Sequence, residues 1–243
     1  MINEKMNPIL QNWDNQVELF ASYFLVNARL PRTGKFTLLD VGCGTGTALR
    51  IIKSIYPDAQ LSGCDLEPEQ VQISKDINGR YGDFFISDIA NLNAHWDFIL
   101  LSNVLEHLYD WNIYLDHLLK CTNRLFIMVP YREKILSLPT DKNDHSFHVN
   151  SFQSNTFEYL IEKGFDVNYR IITTPYAWGP GPIQSFLNKY KLNRKKTPYQ
   201  SEMLVAISRR DVSLPKPFLN YFHSFYLKKQ LILGLYYKKY LGK

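Results

Sequence analysis

Residues 38–50 read LLDVGCGTGTALR, and this stretch constrains the fold more than any other part of the sequence. An apolar run typical of a buried strand leads directly into Gly42, Gly44 and Gly46. A strand, a glycine-rich turn and a helix in direct succession bind ligands, because the turn lets a ligand approach the backbone and the helix N-terminus offers N–H groups. We therefore expect a ligand to lie against these glycines.

The rest of the chain alternates short apolar runs with amphipathic segments. The pattern predicts helices over 8–30, 46–56, 69–77, 107–119 and 154–163, and strands over 36–41, 60–65, 84–87, 96–103, 124–129, 165–172 and 202–209. Such alternation is typical of an α/β fold with a mostly parallel sheet covered by helices on both faces. No helix long enough for a crossover separates the last two strands, so we expect them to form an antiparallel hairpin.

The charge distribution argues against a nucleic-acid partner. The net charge is +5, but residues 213–243 carry six lysines and no acid, which leaves −1 for residues 1–212. A near-neutral body with a basic tail is not a nucleic-acid groove.

The cysteines and the hydropathy pattern predict a cytoplasmic protein. Cys43, Cys64 and Cys121 show no metal-ligand spacing, so we expect reduced thiols in place of disulfides or a zinc site. The first 16 residues are polar, and no apolar run approaches the roughly 20 residues that span a bilayer.

The glycine loop itself narrows the class of ligand. It lacks the lysine of a phosphate-binding P-loop, and Thr47 stands where a dinucleotide-binding GxGxxG motif has its last glycine. Asp40, just before the loop, would repel a pyrophosphate but would attract a cation. S-adenosylmethionine (SAM), a nucleoside joined to a cationic amino acid, fits these features.

LLDVGCGTG resembles the first signature of class I SAM-dependent methyltransferases, and HVNSFQSNTFEYLIEKGFDV resembles a segment of those of the ubiquinone-biosynthesis and sugar-modifying type. Further pieces follow in the family's order: LSGCDLEPEQV, ISDIANL, WDFILLSNVLEHL, LFIMVP and HVNSFQSNTFEYLIEKGFDV. The resemblance covers roughly residues 36–172. It implies a Rossmann-like, seven-stranded, mostly parallel sheet with an antiparallel last strand.

The resemblance also implies a cofactor site. Asp65 would bind the ribose hydroxyls, Asp88 and Ile89 would hold the adenine, and the methionyl part would lie over the glycine loop. The full implied set is Asp40, Gly42, Cys43, Gly44, Gly46, Asp65, Leu66, Asp88, Ile89, Asn103 and Val104. Other interpretations remain: Asp65 as a helix N-cap, Asp88 as a turn residue, and Cys43 as a small filler of the loop.

Methyl transfer to a hydroxyl needs a base, whereas an amine only has to be presented in its neutral form. His107, His145 and His148 lie where this fold would place the acceptor, and they are the catalytic candidates; Tyr131 is a weaker one. Glu106 and His107 are neighbours that cannot share a helix face, and no third ligand is evident, so we expect no metal.

The sequence predicts an enzyme that methylates a small molecule, first of all a hydroxyl of a sugar or surface-polysaccharide precursor. N-methylation of a small phosphorylated amine is the alternative within the same fold. A non-catalytic SAM-binding scaffold is the alternative of another class.

Three regions are predicted: an N-terminal helical cap over 1–35, the SAM-binding domain over 36–212, and a C-terminal extension over 213–243. The insertion at 173–200 contains a basic cluster that would either attract an anionic acceptor or lie in solvent as part of a loop. The extension is basic and aromatic. It would pack on its own domain or on a second copy of the chain, or it would rest on anionic lipid or on an acidic partner. Packing on its own domain or on a second copy is the preferred interpretation, and it predicts that truncation after Arg210 gives an insoluble or unstable protein.

Overall fold

The computed structural model describes residues 17–31 except 19, 23, 26 and 27, together with residues 35–135, 147–175 and 199–214. The N-terminal 16 residues, His145, most of the 173–200 insertion and nearly all of the C-terminal extension lie outside this part. The predictions made for those segments therefore stay predictions.

Seven strands form one sheet in the order β3-β2-β1-β4-β5-β7-β6. They are β1 (Thr37–Val41), β2 (Gln60–Asp65), β3 (Asp83–Ile86), β4 (Trp96–Ser102), β5 (Thr122–Pro130), β6 (Phe165–Pro175) and β7 (Tyr199–Arg209). The first five are parallel, and β7 runs antiparallel to both β5 and β6. The predicted fold class, including the antiparallel final pair, is confirmed.

Four α-helices have complete bounds in the described residues: α1 (Thr47–Ile55), α2 (Pro68–Asn78), α3 (Trp111–Leu118) and α4 (Tyr159–Glu162). The apolar face of α1 buries Leu49 and Ile52 completely on the sheet. Each such side chain contributes roughly 1.5–3 kcal/mol of burial energy. The described residues between 17 and 28 are helical as well, and Phe24 packs edge-on against Phe126 of β5 at 5.0 Å.

The predicted helix over 107–119 is wrong at its start. Leu105–His107 form a 3-10 turn, and α3 begins only at Trp111. The carbonyl oxygen of Glu106 accepts hydrogen bonds from the backbone N–H groups of Val149 and Asn150. The amide of Asn150 donates to the carbonyls of Leu105 and Leu108. Because residues after 147 donate hydrogen bonds to these carbonyls, the turn does not continue into an α-helix.

The helix predicted over 154–163 is likewise shorter, since only Tyr159–Glu162 is α-helical. The preceding residues form turns in which Thr156 and Glu158 donate their N–H groups to residues three positions earlier. The Thr156 hydroxyl also accepts the Gln153 N–H, which stabilises the turn locally.

Candidate active site

The carboxyl ends of β1 to β4 meet at one edge of the sheet, and β1 and β4 are neighbours at the point where the strand order reverses. Ligands of open α/β sheets bind in the crevice at such a switch point. Here the crevice is a cleft of about 270 Å³. Seven of the predicted cofactor residues line it, together with His107: Gly42, Asp65, Leu66, Asp88, Ile89, Asn103 and Val104.

All three loop glycines adopt the left-handed conformation, with φ of 69° at Gly42, 50° at Gly44 and 76° at Gly46. Packing also restricts two of them. A Cβ on Gly42 would lie 2.5 Å from Val104, and one on Gly46 would lie 2.5 Å from Phe84. Gly46 therefore faces the core of the protein, is buried, and does not line the cleft, whereas Gly42 does.

Asp65 ties the glycine loop to the end of β2. One of its carboxylate oxygens accepts the Gly44 N–H at 2.9 Å, and the other accepts the Glu67 N–H at 3.1 Å. The N-cap of α2 is Glu67, so Asp65 is not a helix cap. A carboxylate has about four lone-pair sites, which leaves capacity for a ligand's hydroxyl groups.

Asp88 combines a turn role with a position in the cleft. Its Oδ1 accepts the Ala90 N–H at 2.8 Å and caps a short 3-10 turn. Close by, Leu66 exposes 48% of its surface in the cleft. An exposed leucine beside an acidic side chain gives the cleft an apolar wall next to a polar edge.

Asp40 and Cys43 line a second, smaller cavity of about 50 Å³ beneath the helical residues 17–28. Burial, with the neighbouring Asp65 charge, raises the pKa of Asp40 to about 8. Burial also raises the pKa of the Cys43 thiol far above its usual range, so the thiol stays protonated and acts as a filler. Gly44 and Asn103 also line this cavity.

Glu106, His107 and His148 form a cluster, which we call the acceptor-side cluster because the acceptor was predicted to bind near His107 and His148. The rings of His107 and His148 meet edge-on with centroids 4.6 Å apart. The potential ligand atoms of the three residues all lie within 4.8 Å of one another. The prediction that no third ligand accompanies Glu106 and His107 did not anticipate His148, which the segment after residue 147 brings to them.

Glu106 is completely buried, and neither of its carboxylate oxygens has a hydrogen-bond partner among the described residues. Burial raises its pKa to about 8. His107 Nδ1 lies 3.0 Å from the Phe147 carbonyl, and His148 Nδ1 bonds to the carboxylate of Glu133. The bond to Glu133 raises the pKa of His148.

Sequence reasoning missed Glu133 and the buried Glu202 of β7, whose charges both act on Glu106. The sequence does contain a signal for Glu202, because it is the one charged residue within the otherwise apolar run EMLVAI. Tyr131 was a weak catalytic candidate. It pairs with Phe152 in an isolated β-bridge, and its ring packs at the edge of the core beneath Arg132.

A family model described as a methyltransferase domain matches residues 13–167. This chain belongs to the methyltransferase-domain family. The predicted membership of a methyltransferase family is thereby confirmed.

Solved structures share the fold of this methyltransferase domain. The plantazolicin methyltransferase BpumL, in complex with S-adenosylhomocysteine (SAH), is 22% identical with a TM-score of 0.54, and the match covers 86% of this chain and 92% of that chain. The magnesium protoporphyrin IX methyltransferase from Synechocystis PCC 6803, with bound SAH, is 17% identical with a TM-score of 0.55, covering 85% and 90%.

Two of the curated relatives match over short stretches, and a third matches over most of the chain. A malonyl-[acyl-carrier protein] O-methyltransferase of Acetivibrio thermocellus is 29% identical over 33% of this chain and 30% of its own length. An uncharacterised protein of Synechococcus matches over 24% of its length, so the chain spans less than a third of either relative. A putative methyltransferase of Invertebrate iridescent virus 6 is 23% identical over 85% of this chain and 81% of its own. Among the described helices, none has the length and apolar character to cross a bilayer.

Proposed function

We propose that this chain transfers the methyl group of SAM to a hydroxyl group of a small molecule, with a sugar or surface-polysaccharide precursor as the first candidate acceptor. The observation that carries the proposal is the acceptor-side cluster beside a cleft whose lining includes seven predicted cofactor residues. An amine acceptor would not need such a cluster, because a neutral amine attacks without help from a base.

The cleft supports a defined placement of SAM. The ribose would lie against Asp65, and the adenine would lie between Asp88 and the apolar wall of Leu66 and Ile89. The methionyl part would extend over Gly44 towards Asp40, where its positive charges favour an ionised carboxylate.

This placement points the reactive methyl group towards the acceptor side. Methyl transfer is an in-line displacement, so the protein mainly aligns the acceptor oxygen, the methyl carbon and the sulfur. His107 lines the same cleft as Asp65 and Asp88, with His148 directly behind it. The acceptor oxygen would approach the methyl group from the side of His107 and His148 and would lose its proton there.

The relatives support the reaction class and leave the acceptor open. Three of those named above act on plantazolicin, on magnesium protoporphyrin IX and on malonyl-[acyl-carrier protein], as their names state. The sugar acceptor rests on the resemblance of the segment around residues 145–165 and on the basic insertion.

The test is acceptor-dependent formation of SAH, followed by mass spectrometry with the full chain. The acceptor panel contains nucleotide-linked sugars and small phosphorylated amines. We expect SAH and a methylated sugar to form together. SAH formation with amines alone would overturn the hydroxyl acceptor, and SAM binding without SAH formation from any acceptor would favour the scaffold alternative.

A further inference from the structure

Glu106 holds a buried carboxyl group beside His148, and no described residue gives it a hydrogen bond. Its carboxylate is completely buried, and neither oxygen has a hydrogen-bond partner among the described residues. Burying a carboxylate without compensation costs several kcal/mol. The backbone around it is fixed, because Val149 and Asn150 both donate to the Glu106 carbonyl. A positive charge next to this carboxylate would remove the cost.

The two histidines of the acceptor-side cluster are oriented by acceptors on their Nδ1 atoms. The Phe147 carbonyl can only accept, so Nδ1 of His107 carries the proton and Nε2 carries the lone pair of the neutral ring. The Glu133 carboxylate likewise accepts from Nδ1 of His148. Imidazoles that bind metal ions are typically held in this way, by a carbonyl or a carboxylate on the opposite nitrogen.

We propose that Glu106, His107 and His148 bind one divalent transition-metal ion. Their ligand atoms lie within 4.8 Å of one another. Metal–ligand bonds of roughly 2.1 Å place two ligand atoms of one ion at most about 4.2 Å apart, so small side-chain rotations close the site. Two imidazoles and one carboxylate select ions such as Mn²⁺, Fe²⁺, Co²⁺ or Zn²⁺ over Mg²⁺.

The role of the ion in the reaction rests on the proposed function, whereas metal binding itself does not. Three protein ligands leave coordination positions for an acceptor hydroxyl. An oxygen bound to the metal loses its proton more readily, because the ion stabilises the alkoxide. The ion would also hold that oxygen in place on the side of the cleft that His107 lines.

The test uses tag-free full-length protein that has been stripped with a chelator and then titrated with Co²⁺. We expect one equivalent of Co²⁺ to bind and to give the visible absorption bands of a protein-bound ion. Glu106→Gln and His148→Ala should each weaken binding at least tenfold. His95→Ala is the matched control, because His95 is exposed and lies next to the start of β4, at the opposite edge of the sheet.

Titration of each variant with SAH checks that the cofactor cleft is folded. Wild-type protein that binds no Co²⁺ and no Zn²⁺ would overturn the proposal, and a proton on His148 would then balance the Glu106 charge. Equal Co²⁺ affinity in wild type, Glu106→Gln and His148→Ala would overturn it as well. Metal binding without methyl transfer would contradict the proposed function and leave the metal site in place.

Discussion

At the scale of single residues, the protonation state of the Asp40 carboxyl group depends on whether a cation lies beside it. Only 3% of the residue is exposed, and burial raises its pKa to about 8. In the ligand-free protein the neutral acid is therefore favoured. A sulfonium or an ammonium group beside it would favour the carboxylate.

Asp40→Asn should change the pH dependence of stability. The pKa of Asp40 is raised on folding, so its contribution to stability is complete below about pH 4 and is lost as the pH rises towards 8. Between about pH 5 and pH 8, the melting temperature of the wild type should fall relative to that of Asp40→Asn by roughly 5 °C or more. Differential scanning calorimetry without ligand measures this, with the exposed Asp83→Asn as the control. A constant difference across this range would show that Asp40 is ionised throughout.

His107→Ala and His148→Ala should lower kcat for a hydroxyl acceptor by about 10²-fold or more, while the affinity for SAM stays nearly unchanged. The reason is that both side chains belong to the acceptor-side cluster and neither is among the predicted cofactor residues. Steady-state kinetics and calorimetric titration with SAM separate the two effects, with His95→Ala as the control. Loss of SAM affinity would move these residues into the cofactor site, and unchanged turnover in both would favour an amine acceptor.

At the scale of elements, the helical residues 17–28 cover the sheet next to the glycine loop. Phe24 is 5% exposed and packs against Phe126, and both side chains line the small cavity that holds Asp40. This helix thereby links the stability of the core to the shape of the cofactor site.

Phe24→Ala should lower the free energy of unfolding by about 3 kcal/mol, as is typical when a buried phenylalanine is truncated. It should also weaken SAM binding, because it enlarges the cavity beside Asp40. Urea denaturation and calorimetric titration measure the two effects. Tyr169→Ala on β6 is the control, since Tyr169 is 46% exposed and its loss should cost less than about 0.5 kcal/mol. Equal stabilities of the two variants would contradict the packing described here.

The strands and the glycine loop could be predicted because their signals are local: an apolar run, a turn and an amphipathic helix follow one another directly in the chain. The bounds of β2 coincide with the predicted strand, and the six-residue prediction for β1 begins one residue early. The 3-10 turn at Leu105–His107 could not be predicted in this way. Its conformation depends on Val149 and Asn150, which bind its carbonyls from more than 40 positions away.

The acceptor-side cluster illustrates the same limit at the site. His107 follows β4, so its place at the cleft was predictable from the strand end. The contacts of His107 with His148, and of His148 with Glu133, depend on how the chain folds back after β5. No periodic pattern in the sequence predicts how the chain folds there. The buried state of Glu106 follows from the same packing and from Glu202 on β7.

At the scale of the whole molecule, we propose that SAM binds at the carboxyl ends of β1 to β4 against the glycine loop. Gly44 tests this proposal because its N–H binds Asp65, which lines the cleft, and because it has a φ of 50°. Gly164 offers a matched control. It too has a positive φ, of 91°, but open space surrounds it, and it follows α4 without lining the cleft.

The most direct measurement is calorimetric titration of SAM into the wild type, Gly44→Val and Gly164→Val, each checked for folding by circular dichroism. We expect one SAM per chain to bind to the wild type and to Gly164→Val, which carries a comparable backbone strain away from the cleft. Gly44→Val should remain folded and lose SAM binding, because valine strains the left-handed turn at this position and disturbs the bond from its N–H to Asp65. Normal SAM affinity in folded Gly44→Val, or no binding to the wild type, would contradict SAM binding at the glycine loop.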